Sequence, residues 1–198
     1  MFIPRELIAG LVLSGGRGQR MGGTDKGLQP FKGAPMVMHT LMRLEPQVDV
    51  LSVNANRNLA AYESLGSTVI PDSIGDFAGP LAGFQAGLEI CEHIYMVTVP
   101  CDSPRFPSNL VEKLSEALLI QDLDIAYAAT MEDGKVMTHP VFCLMKSTTI
   151  TSLTTFLGGG GRKIDEWFKF NKTASVIFDD AAAFANINTH EELRKLQK

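Results

Sequence analysis

The sequence predicts an α/β fold, a single doubly wound and mostly parallel sheet with helices on both faces. Short continuous apolar runs alternate with helix-like stretches, the pattern of a sheet covered on both sides. A loop rich in glycine follows the first apolar run, where doubly wound folds turn from strand to helix. At 198 residues, 45% hydrophobic and 20% charged, the chain suffices for one sizeable core and would be cramped as two. A single domain over residues 1–198 is therefore expected, with an N-terminal half to about residue 105 and a C-terminal half from about residue 106.

The elements follow in order. Apolar runs at residues 7–13 (LIAGLVL), 48–55 (VDVLSVNA), 67–71 (STVIP), 94–100 (IYMVTVP) and 124–130 (DIAYAAT) read as strands. Between them, residues 36–44, 59–65, 81–89 and 108–119 carry apolar side chains at spacings of three and four, the signature of amphipathic helices. Successive right-handed βαβ units result. The rhythm then changes: Asp133-Gly134 marks a turn between residues 127–129 and 140–144, so a hairpin or irregular insertion is expected there. Residues 146–157 and 163–170 read as helices separated by Gly158 to Gly161, and residues 174–178 as a strand. Thr189 with Glu192 three residues later forms a capping box that opens a last helix over residues 191–197.

Composition removes several classes of function. A formal net charge of −4 with no basic run lacks the electrostatic footprint of a nucleic-acid binder. No segment approaches the roughly 20 apolar residues of a membrane span, so no membrane partner is expected. Cys91, Cys101 and Cys143 fall at no metal spacing and imply reduced thiols, and the apolar run at 7–13 is too short for a secretory signal. A cytoplasmic protein is the expectation.

The loop from Leu11 to Gly27, LVLSGGRGQRMGGTDKG, holds six glycines together with Arg17, Arg20 and Lys26. Glycines let backbone N–H groups approach a phosphate, and the cations balance its charge; a mobile surface turn needs one or two glycines and no cations. A Rossmann fingerprint anchored on Gly16 and Gly18 fails at Met21, and a Walker A loop fails because the lysine lies inside Asp25-Lys26-Gly27.

What remains, L-S-G-G-x-x-x-R-M-G-x-x-x-K from Leu13 to Lys26, resembles the signature of nucleotidyltransferases that couple a nucleoside triphosphate to a phosphorylated acceptor. In order along the chain, Val53-Asn54-Ala55-Asn56-Arg57, Pro71-Asp72, Ala78-Gly79-Pro80-Leu81-Ala82-Gly83, Pro100-Cys101-Asp102-Ser103-Pro104, His139-Pro140 and Asn186-Ile187-Asn188-Thr189 resemble one family, the molybdenum cofactor guanylyltransferases. The resemblance covers nearly the whole chain. It implies a Rossmann-like fold of the nucleotide-diphospho-sugar transferase type, a nucleotide-binding N-terminal half and an acceptor-binding C-terminal half. It also implies transfer of GMP from GTP to the phosphate of molybdopterin with Mg²⁺ as cofactor. Other proteins of molybdenum-cofactor biosynthesis and the molybdoenzymes that receive the product are the partners it suggests.

By the same resemblance, Leu13, Ser14, Gly15 and Gly16 hold the nucleotide through the loop backbone, and Lys26 and Arg20 face its phosphates. Attack on an α-phosphate spreads charge over its oxygens, and fixed cations stabilise that charge; Arg20 could instead be a solvated surface residue. Asp102 resembles the family's metal ligand, and Mg²⁺ prefers one or two carboxylates plus substrate phosphates. Its other reading is an Asx-turn cap for the helix near Ser108. Asp72 and Asn54 resemble nucleotide contacts, although an asparagine at a strand end is commonly a turn former. Gly79, Pro80 and Leu81 suit a close approach to the guanine edge. His139, Arg162, Lys163, Asn186 and Asn188 are the acceptor candidates. For them a structural histidine, a loose connection after four glycines and a turn before the capping box are the alternatives. Cys101 invites a nucleophile reading but sits beside no histidine in sequence, so a small buried hydrophobe is expected.

Ser14 stands where the family commonly has alanine, Ala34-Pro35 where it has lysine-proline, and His190 where it has proline. Cytidylyl transfer to the same cofactor, and nucleotidyl transfer to a sugar or polyol phosphate, share the glycine loop and metal aspartate. A non-catalytic nucleotide-binding regulatory domain would not need Arg20, Lys26, Asp72 and Asp102 together.

Overall fold

The computed structural model of the chain describes residues 1–14, 25–75 and 79–187. In chain order the strands are β1 (Ile8–Leu13), β2 (Pro30–Phe31), β3 (Ala34–Pro35), β4 (Val50–Asn54), β5 (Thr68–Ile70), β6 (Tyr95–Pro100), β7 (Ile125–Glu132), β8 (Lys135–Lys146) and β9 (Thr173–Phe178). The α-helices are α1 (Met36–Leu44), α2 (Leu59–Glu63), α3 (Pro80–Glu89), α4 (Leu110–Ile120), α5 (Ile150–Gly158) and α6 (Ile164–Phe168). Seven strands form one sheet in the order β5-β4-β1-β6-β8-β7-β9, and β2 and β3 make a small separate hairpin. Strand β8 runs antiparallel to both its neighbours, and the other ladders of the large sheet are parallel.

The period-two alternation of the strands divides the core into two layers. On one face Ile8, Val12, Val53, Val97, Val99 and Leu144 meet the apolar stripes of α1, α2 and α4. On the other, Leu11, Met96, Cys143 and Met145 meet α3, α5 and α6. Helix α1 shows how the sequence builds one such layer. Met36, Val37, Leu41 and Leu44 recur at helical spacing and are buried, while Met42 and Arg43 face outward.

Two local expectations change in detail. Strand β8 spans 12 residues and extends well beyond 140–144, because Asp133 (φ 50°) and Gly134 (φ 74°) make the tight turn that lets it pair along the whole of β7. The helix expected from residue 146 begins at Ile150: Lys146 stays in β8 opposite Tyr95, and its ammonium reaches Asp124 at 3.3 Å. The capping box at Thr189 and the helix over residues 191–197 lie outside the described residues.

Candidate active site

Chain direction fixes where a ligand can sit. From β1 the sheet grows to β4 and β5 on one side, and the chain then crosses over to place β6 on the other side of β1. A crevice opens at the carboxyl ends of strands that diverge in this way, because their following connections leave in opposite directions. The residues that end β1 and β6 are Leu13 and Pro100, paired in register. The glycine loop leaves after Leu13, and the Pro-Cys-Asp-Ser-Pro corner leaves after β6.

That corner is held from several sides. The Cys101 N–H donates to the Leu13 carbonyl at 3.0 Å, and the buried Thr40 hydroxyl of α1 donates to the Cys101 carbonyl at 3.2 Å. The Asp102 carbonyl accepts from the Ile187 N–H at 2.8 Å, and the fully buried Ser103 hydroxyl donates to the Asn186 side chain at 2.6 Å. Pro100 and Pro104 each fix their own φ, and these bonds add anchors from both ends of the chain. Every one of them leaves the Asp102 carboxylate uninvolved.

The carboxylate faces Lys26, 76 residues away in sequence, with Nζ–Oδ2 at 3.3 Å. Both side chains keep about a fifth of their surface in solvent, 20% for Lys26 and 17% for Asp102, so a ligand can reach the pair. The helix-cap alternative for Asp102 finds no support, since α4 starts after Asn109 without any side-chain capping bond. As a metal site the donor set is small: among the described residues no three carboxylate, histidine or cysteine groups cluster. That fits Mg²⁺, which binds through one or two protein carboxylates and completes its shell with phosphate oxygens and water, and it does not fit an ion that needs a full protein cage.

On the other side of β1, Asn54 and Asp72 are brought together but turned toward each other. Asn54 is buried and donates through Nδ2 to the Ile70 carbonyl at 3.0 Å and to Asp72 Oδ1 at 2.8 Å. Asp72 Oδ2 accepts from Asn56 Nδ2 at 2.7 Å, and the Asp72 N–H donates back to Asn56 Oδ1 at 2.8 Å. The carboxylate thus closes a clasp between the ends of β4 and β5, and Asn54 is part of that clasp. Ser14, too, is tied to the sheet, its N–H donating to the Asn54 carbonyl at 2.8 Å.

Helix α3 seats its first turn on the same clasp. Gly79 enters with φ 72° and Pro80 takes the first helical position, the arrangement that pre-sets a sharp helix start. Leu81 is wholly buried while Gly79 and Pro80 are exposed, so a ligand meets this segment at its first two residues. Gly83 is glycine for a packing reason: a Cβ there would stand 2.4 Å from Asn54 Oδ1 and 2.8 Å from Leu13 Cδ2.

The acceptor candidates divide between the two faces of the sheet. His139 stacks on Phe184 with ring centroids 4.8 Å apart, and its Nε2 lies 2.9 Å from the Thr130 hydroxyl. Burial pushes its pKa below the ordinary histidine value, so the neutral ring is favoured. An irregularity in β8 sets this orientation. Tyr127 pairs with Cys143 but the next residue, Ala128, pairs with His139, so Pro140, Val141 and Phe142 bulge out and His139 changes face. Asn186, two residues after Phe184, bonds to Ser103 and so belongs beside Asp102. Arg162 lies on the opposite face. Its carbonyl oxygen is 4.0 Å from where a Gly79 Cβ would stand, and its guanidinium donates to the Leu157 and Gly161 carbonyls at 3.0 and 2.7 Å. Lys163 is exposed and paired with Glu166 at 3.5 Å. Gly15, Gly16, Arg20 and Asn188 lie outside the described residues.

Cys101 and Cys143 are buried, and burial pushes both thiols up to about 12, which removes them as nucleophiles at neutral pH. Two residues named in the sequence motifs without a role of their own acquire one here: Asn56, which completes the Asp72 clasp, and Asp25, buried next to Lys26. A short polar side chain beside a motif residue was the available signal.

Residues 10–174 match the family described as the MobA-like NTP transferase domain. A molybdenum cofactor guanylyltransferase of Cupriavidus necator is 59% identical over 193 residues, 97% of each chain. One of Bordetella petrii is 59% identical over 194 residues, covering 98% of this chain and 99% of the relative. The crystal structure of molybdopterin-guanine dinucleotide biosynthesis protein A from Archaeoglobus fulgidus superposes with a TM-score of 0.74 at 20% identity over 96% of both chains. A 4-diphosphocytidyl-2C-methyl-D-erythritol synthase from Anaerococcus prevotii superposes with a TM-score of 0.72 at 13% identity over 98% of both, a likeness of fold alone.

Proposed function

The chain belongs to the MobA-like NTP transferase family, and from that premise we propose that it is a guanylyltransferase joining GMP from GTP to the phosphate of molybdopterin. A phosphate oxygen of the acceptor attacks the α-phosphorus of GTP. The new P–O bond forms as the bond to the β-phosphate bridge oxygen breaks, and pyrophosphate leaves with the electron pair. The attacking phosphate is already anionic, so no protein base is required.

The observation that carries the reading is the meeting of Lys26 and Asp102 at 3.3 Å, at the point where the strand order reverses. Lys26 there faces the α-phosphate and the departing pyrophosphate, whose charge grows as the bond breaks. Asp102 would hold Mg²⁺, which when bound neutralises phosphate charge and favours the in-line geometry. The pinned Cys101 to Ser103 backbone fixes the Cα from which that carboxylate extends before substrate arrives, so less ordering is left for the chemical step. The start of α3 lies against the Asn54 clasp and offers exposed backbone to the guanine edge at Gly79 and Pro80, with the buried Leu81 seating the turn behind them. Arg20 and the Gly15-Gly16 backbone add donors from the glycine loop.

We assign the acceptor to His139, Asn186 and Asn188 on one face and to Arg162 and Lys163 on the other, a reading supported by the bond that sets Asn186 beside the Asp102 corner and by the approach of the Arg162 backbone to Gly79. The test is incubation of the purified protein with Mg²⁺, molybdenum-loaded molybdopterin and each of GTP, CTP, ATP and UTP, reading pyrophosphate and the dinucleotide formed. GTP-dependent dinucleotide is the expected product; equal turnover with CTP overturns the guanylyl assignment.

A further inference from the structure

Asp25 directly precedes Lys26 and, among the described residues, is the one charged residue that is buried, 9% exposed. Three neutral donors converge on its carboxylate. The Tyr62 hydroxyl donates to Oδ1 at 2.6 Å, the Gly27 N–H donates to Oδ1 at 3.2 Å, and Asn58 Nδ2 donates to Oδ2 at 3.1 Å. Tyr62 comes from α2 and is fully buried, and Asn58 starts that helix in a left-handed conformation, φ 52°. Gly27 completes the fit, because a Cβ at that position would stand 2.5 Å from the Tyr62 hydroxyl oxygen. Outside this cluster, the Asp25 carbonyl accepts from Gln29 Nε2 at 3.4 Å and the Gly27 carbonyl accepts from the Val37 N–H at 2.9 Å, so the backbone on each side of Lys26 is also held.

We infer that Asp25, Tyr62 and Asn58 are positioning residues for the transfer reaction, a buried clamp that fixes the backbone of Lys26 so that its ammonium stands over Asp102. The inference rests on the role given to Lys26 above. A lysine carries four rotatable side-chain bonds, and its usefulness to a reacting phosphate depends on where its Cα is held. The clamp supplies that hold from α2 and from Asn58 at its N-terminus. An acceptor-only carboxylate suits the place, since an amide there would turn an N–H toward one of the three donors. Burial and the Asp25 bond push the Tyr62 hydroxyl far above its ordinary pKa, so the donor to Asp25 keeps its proton throughout the working range.

The experiment is a double-mutant cycle between Tyr62→Phe and Lys26→Ala, with kcat and GTP KM measured by pyrophosphate release and the melting temperature recorded for each variant. Tyr62→Phe keeps the buried ring and removes only the hydroxyl. Asn58→Gly, which suits the left-handed backbone, serves as a second variant that reaches the carboxylate from the other side. A positioning role lowers kcat of Tyr62→Phe about tenfold, with GTP KM changed less than twofold, and has no further effect on kcat in the Lys26→Ala background. Wild-type kcat in Tyr62→Phe and in Asn58→Gly, or an equal loss in both backgrounds, overturns the inference and leaves a clamp that serves stability alone. Full activity of Lys26→Ala is the separate result that removes Lys26 from the reaction, and the proposed mechanism with it.

Discussion

Asp102→Asn separates chemistry from architecture at one position. The substitution keeps the size of the side chain and one carbonyl oxygen for Lys26, and it removes one negative charge. Because the corner is held by the backbone of Cys101 and Asp102 and by the Ser103 hydroxyl, none of its anchoring bonds is lost. The ion pair itself is partly solvated, 17% exposed on the Asp102 side, so its contribution to stability is at most about 1 kcal/mol. For a chain of this size that shifts the melting temperature by no more than about 4 °C. Turnover should respond on a different scale. A metal held by formal charge at a single protein carboxylate loses its anchor, and several kcal/mol of charge stabilisation at the migrating phosphoryl go with it, roughly a thousandfold in kcat. The assay is pyrophosphate release from GTP over a Mg²⁺ titration, paired with a thermal melt. A variant that turns over normally at the same Mg²⁺ concentration would falsify the metal role of Asp102.

Asn54→Ala should cost about 2–3 kcal/mol, because it strips the Ile70 carbonyl and Asp72 of their buried donor, and a chemical denaturation curve reads that loss directly. Gly83→Ala forces a methyl group onto Asn54 and Leu13 and should destabilise by about 1–3 kcal/mol while raising the GTP KM; an unchanged KM would detach the start of α3 from the nucleotide. The depressed pKa of His139 means that the unfolded chain binds its proton first as pH falls, so this residue's contribution to stability is complete above about pH 6.5 and declines below it. His139→Phe keeps a ring against Phe184 and should flatten that decline in melts taken from pH 7 to pH 5, whereas an unaltered slope would assign it to other groups. Charge reversal at Arg162 and Lys163 together should raise the acceptor KM; since Arg162 lies against Gly79, a comparable rise in the GTP KM would assign it to the nucleotide side instead.

The local rules of the chain were enough to determine its layers. Strand β1, helix α1 and the Asp133-Gly134 turn follow from apolar period, helical spacing and positive φ, all of which act within a few residues. The motif spacing also singled out Lys26 and Asp102, because a cation in a glycine loop and a carboxylate after an apolar strand each make chemical sense alone. What those residues do together was decided by the strand order, which brings positions 26 and 102 to one crevice and turns an isolated carboxylate into half of an ion pair. The same holds for Asn54 and Asp72. Read singly each suits a ligand contact, and the fold adds that they bond to one another, because β4 and β5 end side by side and a buried amide must find its partners there. The face of His139 depends on three extra residues in β8, a register that strand pairing sets and no local pattern encodes. Asp25 was legible only as the neighbour of a lysine, since Tyr62 and Asn58 reach it from a helix more than thirty residues further along the chain. Sequence periodicity is a property of one segment, whereas hydrogen-bond satisfaction is a property of segments brought together. The elements could therefore be read from the chain, and the site's internal bonds only from the fold.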